Sequence, residues 1–349
     1  MLALALAFGM RALSAAEPPS ATRGPESAAT VPIEASTIAL VLPLTSATYG
    51  RVADAVKGGF TAAADRAGAK VAIVAHGDGD VVAAFAKAKD SGARVIVGPL
   101  VRDDVKTLAA AGLELPWTIA LNQLDDGAPL PSNTYALTLS IESDGRQLAR
   151  YMRGNGARTV AVIASDSLLQ LRLAAAFVDE WLLLGGGPPD RYHFDRNPGV
   201  LALLKKELAR TPPDTALLAV DASDAALAKP YLGSIAVCTS NQVNDRQTRP
   251  ALNDLDDVCF VEIPWLADPE APAFAKLKHP ALPNASLDRL YALGIDAFRV
   301  AQVFAEGPVD GLEFDGATGR VTLRDNGQFS REGKILRFHD GAIERAEVR

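Results

Sequence analysis

The sequence predicts an α/β protein built of two doubly wound, Rossmann-like lobes joined by a hinge. Three observations predict it. Short apolar, β-branched runs alternate with stretches of helical periodicity from residue 37 to residue 304. The alternation halts near residue 140 and then restarts with the same grammar. A length of 349 residues suits about two cores better than one.

Composition sets the outer limits. Hydrophobic residues make up 48% and charged residues 22%, enough apolar surface for packed cores. The net charge is −7, and Lys and Arg are scattered singly, so no basic stripe is offered to a phosphate backbone and nucleic acid is not an expected partner.

Taken in order, residues 1–16 carry an apolar run from Leu2 to Phe8 and the small residues Ser14, Ala15 and Ala16, the pattern of a signal peptide cleaved near Ala16, although a positive n-region is missing. No Cys follows the run, so no lipobox is expected. Residues 17–36, rich in Pro, Ser, Thr and Ala, read as a flexible linker. No later stretch approaches the roughly 20 apolar residues of a membrane span, and the expected location is the periplasm.

The first lobe is expected over 37–140. Its strands are Thr37–Leu42, Lys70–Ala75, Val95–Val97, Trp117–Ala120 and Tyr135–Leu139, and its helices Arg51–Ala67, Val81–Ser91 and Arg102–Ala111. The second lobe, 141–263, should place helices at Ile141–Asn155, Leu169–Leu184 and Ala222–Tyr231. Its strands fall at Thr159–Ala164, Ala216–Val220, Ile235–Thr239 and Val258–Ile263. Residues 264–310 return to the first lobe with a long amphipathic helix, Ser286–Phe304. From 311 to 349, DG, TG and NG turns between short alternating runs predict β-hairpins, expected to pack on the hinge and the second lobe.

Catalytic and metal signatures are missing from the pattern. His76, His193, His279 and His339 stand far apart, with no metal-spaced pair. No G-x-S-x-G elbow and no phosphate loop occurs, and GDGD at 77–80 lacks the other positions of a calcium loop. The reading is therefore of a protein that binds rather than catalyses, without metal or cofactor. The two cysteines, Cys238 and Cys259, sit in strand-like runs. Spacing leaves two readings open, a disulfide if the strands are neighbours or two small buried apolar residues.

Several segments, in order, resemble the LppC/LpoA family of penicillin-binding-protein activators. They are IALVLPLTSATYGRVADAVKGGFTAA, VIVGPLVRDDVKTLAA, TIALNQ, TVAVIASDS, CTSNQV, FVEIPWL, RLYALGIDAFRVA and FDGATGRVTLRDNGQFSR, which together span residues 37–331. The resemblance implies the type I periplasmic-binding-protein fold of that family's C-terminal domain. It also implies a non-catalytic periplasmic regulator that contacts a peptidoglycan synthase, with outer-membrane association in lipidated members. The alternative is a periplasmic solute-binding protein for an amino acid or small amide.

In a doubly wound sheet, ligands meet the loops beyond the carboxyl ends of the strands. The candidate cleft residues are Leu44, Thr45, Ser46 and Tyr49, then Pro99, Leu100 and Val101, then Asn122 and Gln123, all in the first lobe. The second lobe offers Asp166 and Ser167, and Thr239, Ser240 and Asn241. In amino-acid binders similar to this chain, the segments matching Pro99–Val101 and 120–122 hold the ligand's carboxylate and ammonium. Here Arg102, Asp103 and Asp104 stand where those binders place a Ser. The competing reading is that these loops only cap helices and pack the lobes. Trp265, in EIPWL, reads either as hinge packing or as an anchor for a protein partner.

Overall fold

The structure, a computed structural model, describes residues 37–124, 128–245, 252–307, 309 and 311–346. The expected signal peptide and linker lie outside the described residues. The first series runs β1 (Ile38–Leu42), α1 (Gly50–Ala67), β2 (Ala72–Ala75), α2 (Val81–Asp90), β3 (Val95–Val97), α3 (Arg102–Ala111), β4 (Trp117–Ala120) and β5 (Thr134–Leu137). The second runs α4 (Ile141–Gly154), β6 (Val160–Ala164), α5 (Leu168–Leu183), β7 (Asp190–His193), α6 (Pro198–Arg210), β8 (Thr215–Ala219), α7 (Ala222–Ala228), β9 (Ala236–Thr239) and β10 (Val258–Glu262). The chain then forms α8 (Pro264–Ala267), α9 (Ala285–Glu306), β11 (Glu313–Asp315), β12 (Arg320–Leu323), β13 (Gln328–Glu332), β14 (Lys334–His339) and β15 (Ala342–Arg345).

These strands make two sheets, β11-β12-β13-β5-β4-β3-β1-β2 and β15-β14-β10-β9-β8-β6-β7. Strands β1 to β10 pair in parallel within each sheet, and helices cover both faces, so β1, β3, β8 and β10 are buried along their whole length. In the first lobe α9 lies against α1. A Cβ on Gly59 would strike the Tyr291 carbonyl, and one on Gly294 the Val56 carbonyl, so the two backbones approach as closely as they do only because both positions are glycine. Phe60 and Phe298 pack edge to face beside that contact at 5.4 Å.

Two elements lie in the stretch for which the sequence pattern gave no assignment. Strand β7 (DRYH) is a polar edge strand, largely exposed, and so lacks the apolar signature of its neighbours. Helix α6 begins with Pro198 at its first turn, and the Asn197 side chain accepts from the Gly199 N–H at 2.8 Å.

The tail divides between the sheets. β13 pairs in parallel with β5, so β11–β13 extend the first sheet, whereas β14 pairs antiparallel with β10 and carries β15 to the edge of the second. Only Gly333 separates β13 from β14. A Cβ there would lie 2.7 Å from the Glu262 carbonyl oxygen and 2.8 Å from Val261 Cγ1. The Gln147 side chain secures this crossing from α4, donating to the Gly333 carbonyl at 2.8 Å and accepting from its N–H at 2.9 Å.

Candidate functional site

The predicted loops do lie beyond the carboxyl ends of their strands, and much of their polar capacity is used within the protein. Leu44 and Thr45 turn out of β1, and the Thr45 N–H bonds the His76 carbonyl at 3.1 Å. The Ser46 hydroxyl accepts from the Thr48 and Tyr49 N–H groups, at 3.2 and 3.0 Å, at the entry to α1, and Tyr49 itself is exposed. Pro99 and Leu100 are buried, and Val101 opens α3. Asn122 donates to the Leu100 carbonyl at 3.0 Å and accepts from the Gln123 N–H at 3.0 Å, which joins the loops after β3 and β4.

In the second lobe Asp166 is exposed and lies 3.5 Å from His193, and Ser167 opens α5. Thr239 is buried, its hydroxyl donating to the Leu218 carbonyl at 2.6 Å. Ser240 is buried, and its hydroxyl finds no hydrogen-bond partner among the described residues. Asn241 is drawn toward the hinge by a different set of residues.

That set is a chain of buried charges running from lobe to lobe. Glu262, at the end of β10, receives a two-pronged contact from Arg289 of α9, Nε to Oε1 at 3.0 Å and Nη2 to Oε2 at 2.6 Å, and a third bond from Asn244 Nδ2 at 2.9 Å. The same Arg289 Nη2 donates to the Asn241 carbonyl at 2.9 Å, and Asn241 Nδ2 donates to Asp144 Oδ2 at 2.9 Å. Asp144, in the first turn of α4, then receives Arg331 of β13 at 3.0 Å, and Arg331 also donates to the carbonyls of Thr138 and Thr318, each at 3.2 Å. Asp296 of α9 closes the series, accepting from the N–H groups of Ala317 and Thr318 at 2.8 and 2.7 Å and from the Thr318 hydroxyl at 2.6 Å.

The electrostatics follow from burial. Loss of water pushes the Asp144 carboxyl above its usual range, although Arg331 and Arg289 pull the other way. Burial likewise raises Asp296 against its three hydrogen bonds. For Arg289 burial opposes the charge, but Glu262, with help from Asp144 and Asp245, outweighs it and holds the guanidinium above its ordinary value. Breaking any one pair of this network would strand a charge out of water, which opposes separating the groups that the two lobes contribute.

None of Asp144, Glu262, Arg289, Asp296 and Arg331 was among the predicted site residues. A signal existed: Glu262 stands at the end of the apolar run VCFV, and Asp296 inside ALGIDAF. A single charge in such a run requires a buried partner.

Other singled-out residues also find their places. Trp265 is buried, stacked on the His279 ring at 4.0 Å and packed on Phe274 and Tyr291, so it serves the hinge-side core. His339, isolated in sequence, comes within 4.8 Å of carboxylate oxygens of Asp256 and Asp340 on the surface. Cys238 and Cys259 are register partners in adjacent strands, with Cα atoms 4.3 Å apart, and are joined as a disulfide. Among the described residues, no helix is long and apolar enough to cross a membrane.

Comparison with known proteins places this architecture. The chain matches the family model described as "LppC putative lipoprotein" over residues 28–205 and 200–341. It is 27% identical over 317 residues to the penicillin-binding protein activator LpoA of Haemophilus ducreyi, an alignment that takes in 88% of this chain and 54% of that protein. It spans about half the length of the curated relatives it matches. Among solved structures it superposes on the C-domain of Haemophilus influenzae LpoA, "a regulator of PBP1A", with a TM-score of 0.78 at 24% identity, covering 89% of this chain and 99% of that one. A Chromobacterium violaceum protein described as a "putative branched-chain amino acid ABC transporter" gives 0.76 at 31% identity, covering 85% and 98%. The fold is thus the two-lobed type I periplasmic-binding-protein fold, and by its matched residues the chain belongs to the LppC family.

Proposed function

We propose that this chain is a non-catalytic, periplasmic regulator of peptidoglycan synthesis that activates a penicillin-binding protein by protein contact. Kinship to proteins named as such activators supports it. The observation that carries the reading is the buried charge network. It joins the two lobes through Arg289–Glu262 and Arg331–Asp144, and it takes up Asn241 from the strand-end loops where a solute binder would present free polar groups. A molecule with its lobes tied in this way offers a fixed outer surface to a partner. The test is a cross-linking assay of a purified bifunctional peptidoglycan synthase with and without the chain. Faster transpeptidation together with co-purification is expected, and no binding and no rate change would overturn the reading.

The second reading, a solute-binding protein for an amino acid or small amide, is favoured by the 31% identity to the Chromobacterium violaceum protein. A saturable rise in melting temperature with one amino acid and no synthase binding would decide for it.

A further inference from the structure

Beside the charge network, the hinge holds a cavity of about 260 Å³ whose walls come from both lobes. Gln123, Arg324 and Ser330 line it from the first lobe, and Ser143, Arg146 and Arg150 of α4 from the second. Gln123 is the one predicted cleft residue on its wall. The charged lining is one-sided, since four arginines, Arg331 being the fourth, face a single acid, Glu332.

Two of those arginines are already answered. Arg331 is held by Asp144, and Arg150 by Glu180 and Glu332 at 2.9 and 3.2 Å. The other two have no carboxylate within ion-pair distance among the described residues, although Glu313 lies near enough to Arg324 for its carboxyl to be lowered by that charge. The Arg324 side chain donates only to the Ser330 hydroxyl, at 2.8 Å, and Arg146 makes no hydrogen bond or ion pair among the described residues. Both side chains are exposed, and in a chain of net charge −7 two guanidiniums without an ion pair on the walls of one cavity favour an anion there. Ser140 and Ser143 at the start of α4 line the same space, where the helix dipole is positive although the first turn also carries Glu142 and Asp144. At about 30 Å³ per water, the space holds roughly nine water volumes, which suits a small molecule.

We infer that this cavity binds a small oxyanion, a compound bearing carboxylates or phosphate, between Arg146 of the second lobe and Arg324 of the first. The ligand spans the hinge and adds one more tie between the lobes. The inference stands apart from the proposed synthase contact, because it rests on the cavity alone.

The experiment is calorimetric titration of the purified chain with citrate, succinate and inorganic phosphate at constant ionic strength. Saturable binding of at least one anion is expected, and whether phosphate or a carboxylate binds identifies the class. Arg146→Gln and Arg324→Gln should each weaken it by about tenfold, and the double variant should abolish it. Both side chains are exposed, so circular dichroism should stay native, and Arg345→Gln, whose partner Asp268 lies elsewhere, should bind as the parent does. Absence of saturable binding, or binding that the double variant retains, would overturn the inference.

Discussion

Arg331 and Asp144 meet at 3.0 Å with both side chains almost wholly out of water, one on the last strand of the first sheet and the other in the first helix of the second lobe. Their bond therefore measures the coupling of the lobes. Arg331→Ala leaves a buried carboxylate without its cation and should cost ~3–5 kcal/mol of unfolding free energy, read from urea denaturation. Replacing both residues, by Arg331→Met with Asp144→Leu, should recover most of that loss, because the desolvation penalty goes with the charges. A double variant no more stable than Arg331→Ala would contradict this account.

Arg289 holds Glu262 with a fork and reaches the Asn241 carbonyl with the same Nη2. Lysine is a point charge and cannot make both contacts, so Arg289→Lys should lose about 2 kcal/mol despite conserving charge. Faster amide exchange around residues 241–244 should accompany the loss. Parent-like stability in Arg289→Lys would show that charge alone matters at this position.

Acid should weaken the fold partly through Glu142. Burial raises its carboxyl, but its own N–H, the Ser140 hydroxyl at 2.9 Å and Arg172 at 2.6 Å outweigh that and hold it below the ordinary value of 4.5. Its folded pKa is thus the lower one, so its contribution is complete above the unfolded value and disappears as pH falls through the folded one. Stability curves recorded from pH 6 downward should fall more gently in Glu142→Gln than in the parent. Identical slopes would remove Glu142 from the acid response.

Cys238 and Cys259, 21 residues apart, close a short loop. Peptide mapping without reductant should recover the linked pair, and the Cys238→Ala, Cys259→Ala variant should be less stable by roughly 3 kcal/mol. Free thiols in protein isolated from an oxidising compartment would count against the bridge.

Gly333→Ala puts a methyl group against the Glu262 carbonyl where the chain passes between lobes. We expect a loss of about 1–3 kcal/mol, as for other overpacked sites. Gly187→Ala, which meets nothing within 4 Å, is the control and should differ little.

The sheets and their helices were legible because buried parallel strands write themselves as unbroken apolar runs; IALVL and VCFVE need no partner to be recognised. β7 was illegible for the converse reason, as an exposed edge strand of Asp, Arg, Tyr and His has no such run. The division of the tail depends on pairings such as Phe329 with Leu137, some 190 residues apart, which local turn chemistry does not encode. The loops after the strands could be named from topology alone. That Arg289 would take Glu262 as its partner could not, because each charge announces only that it needs a partner, and the partner is fixed by tertiary packing.

The split tail also bears on the order in which the molecule can be completed. Strands β11 to β13 finish one sheet and β14 with β15 the other, so the segment from Glu313 to Arg345 supplies one edge of both sheets. Neither sheet has its full set of strands until this segment is in place. A chain cut short before residue 311 would therefore leave two incomplete lobes rather than one finished and one missing.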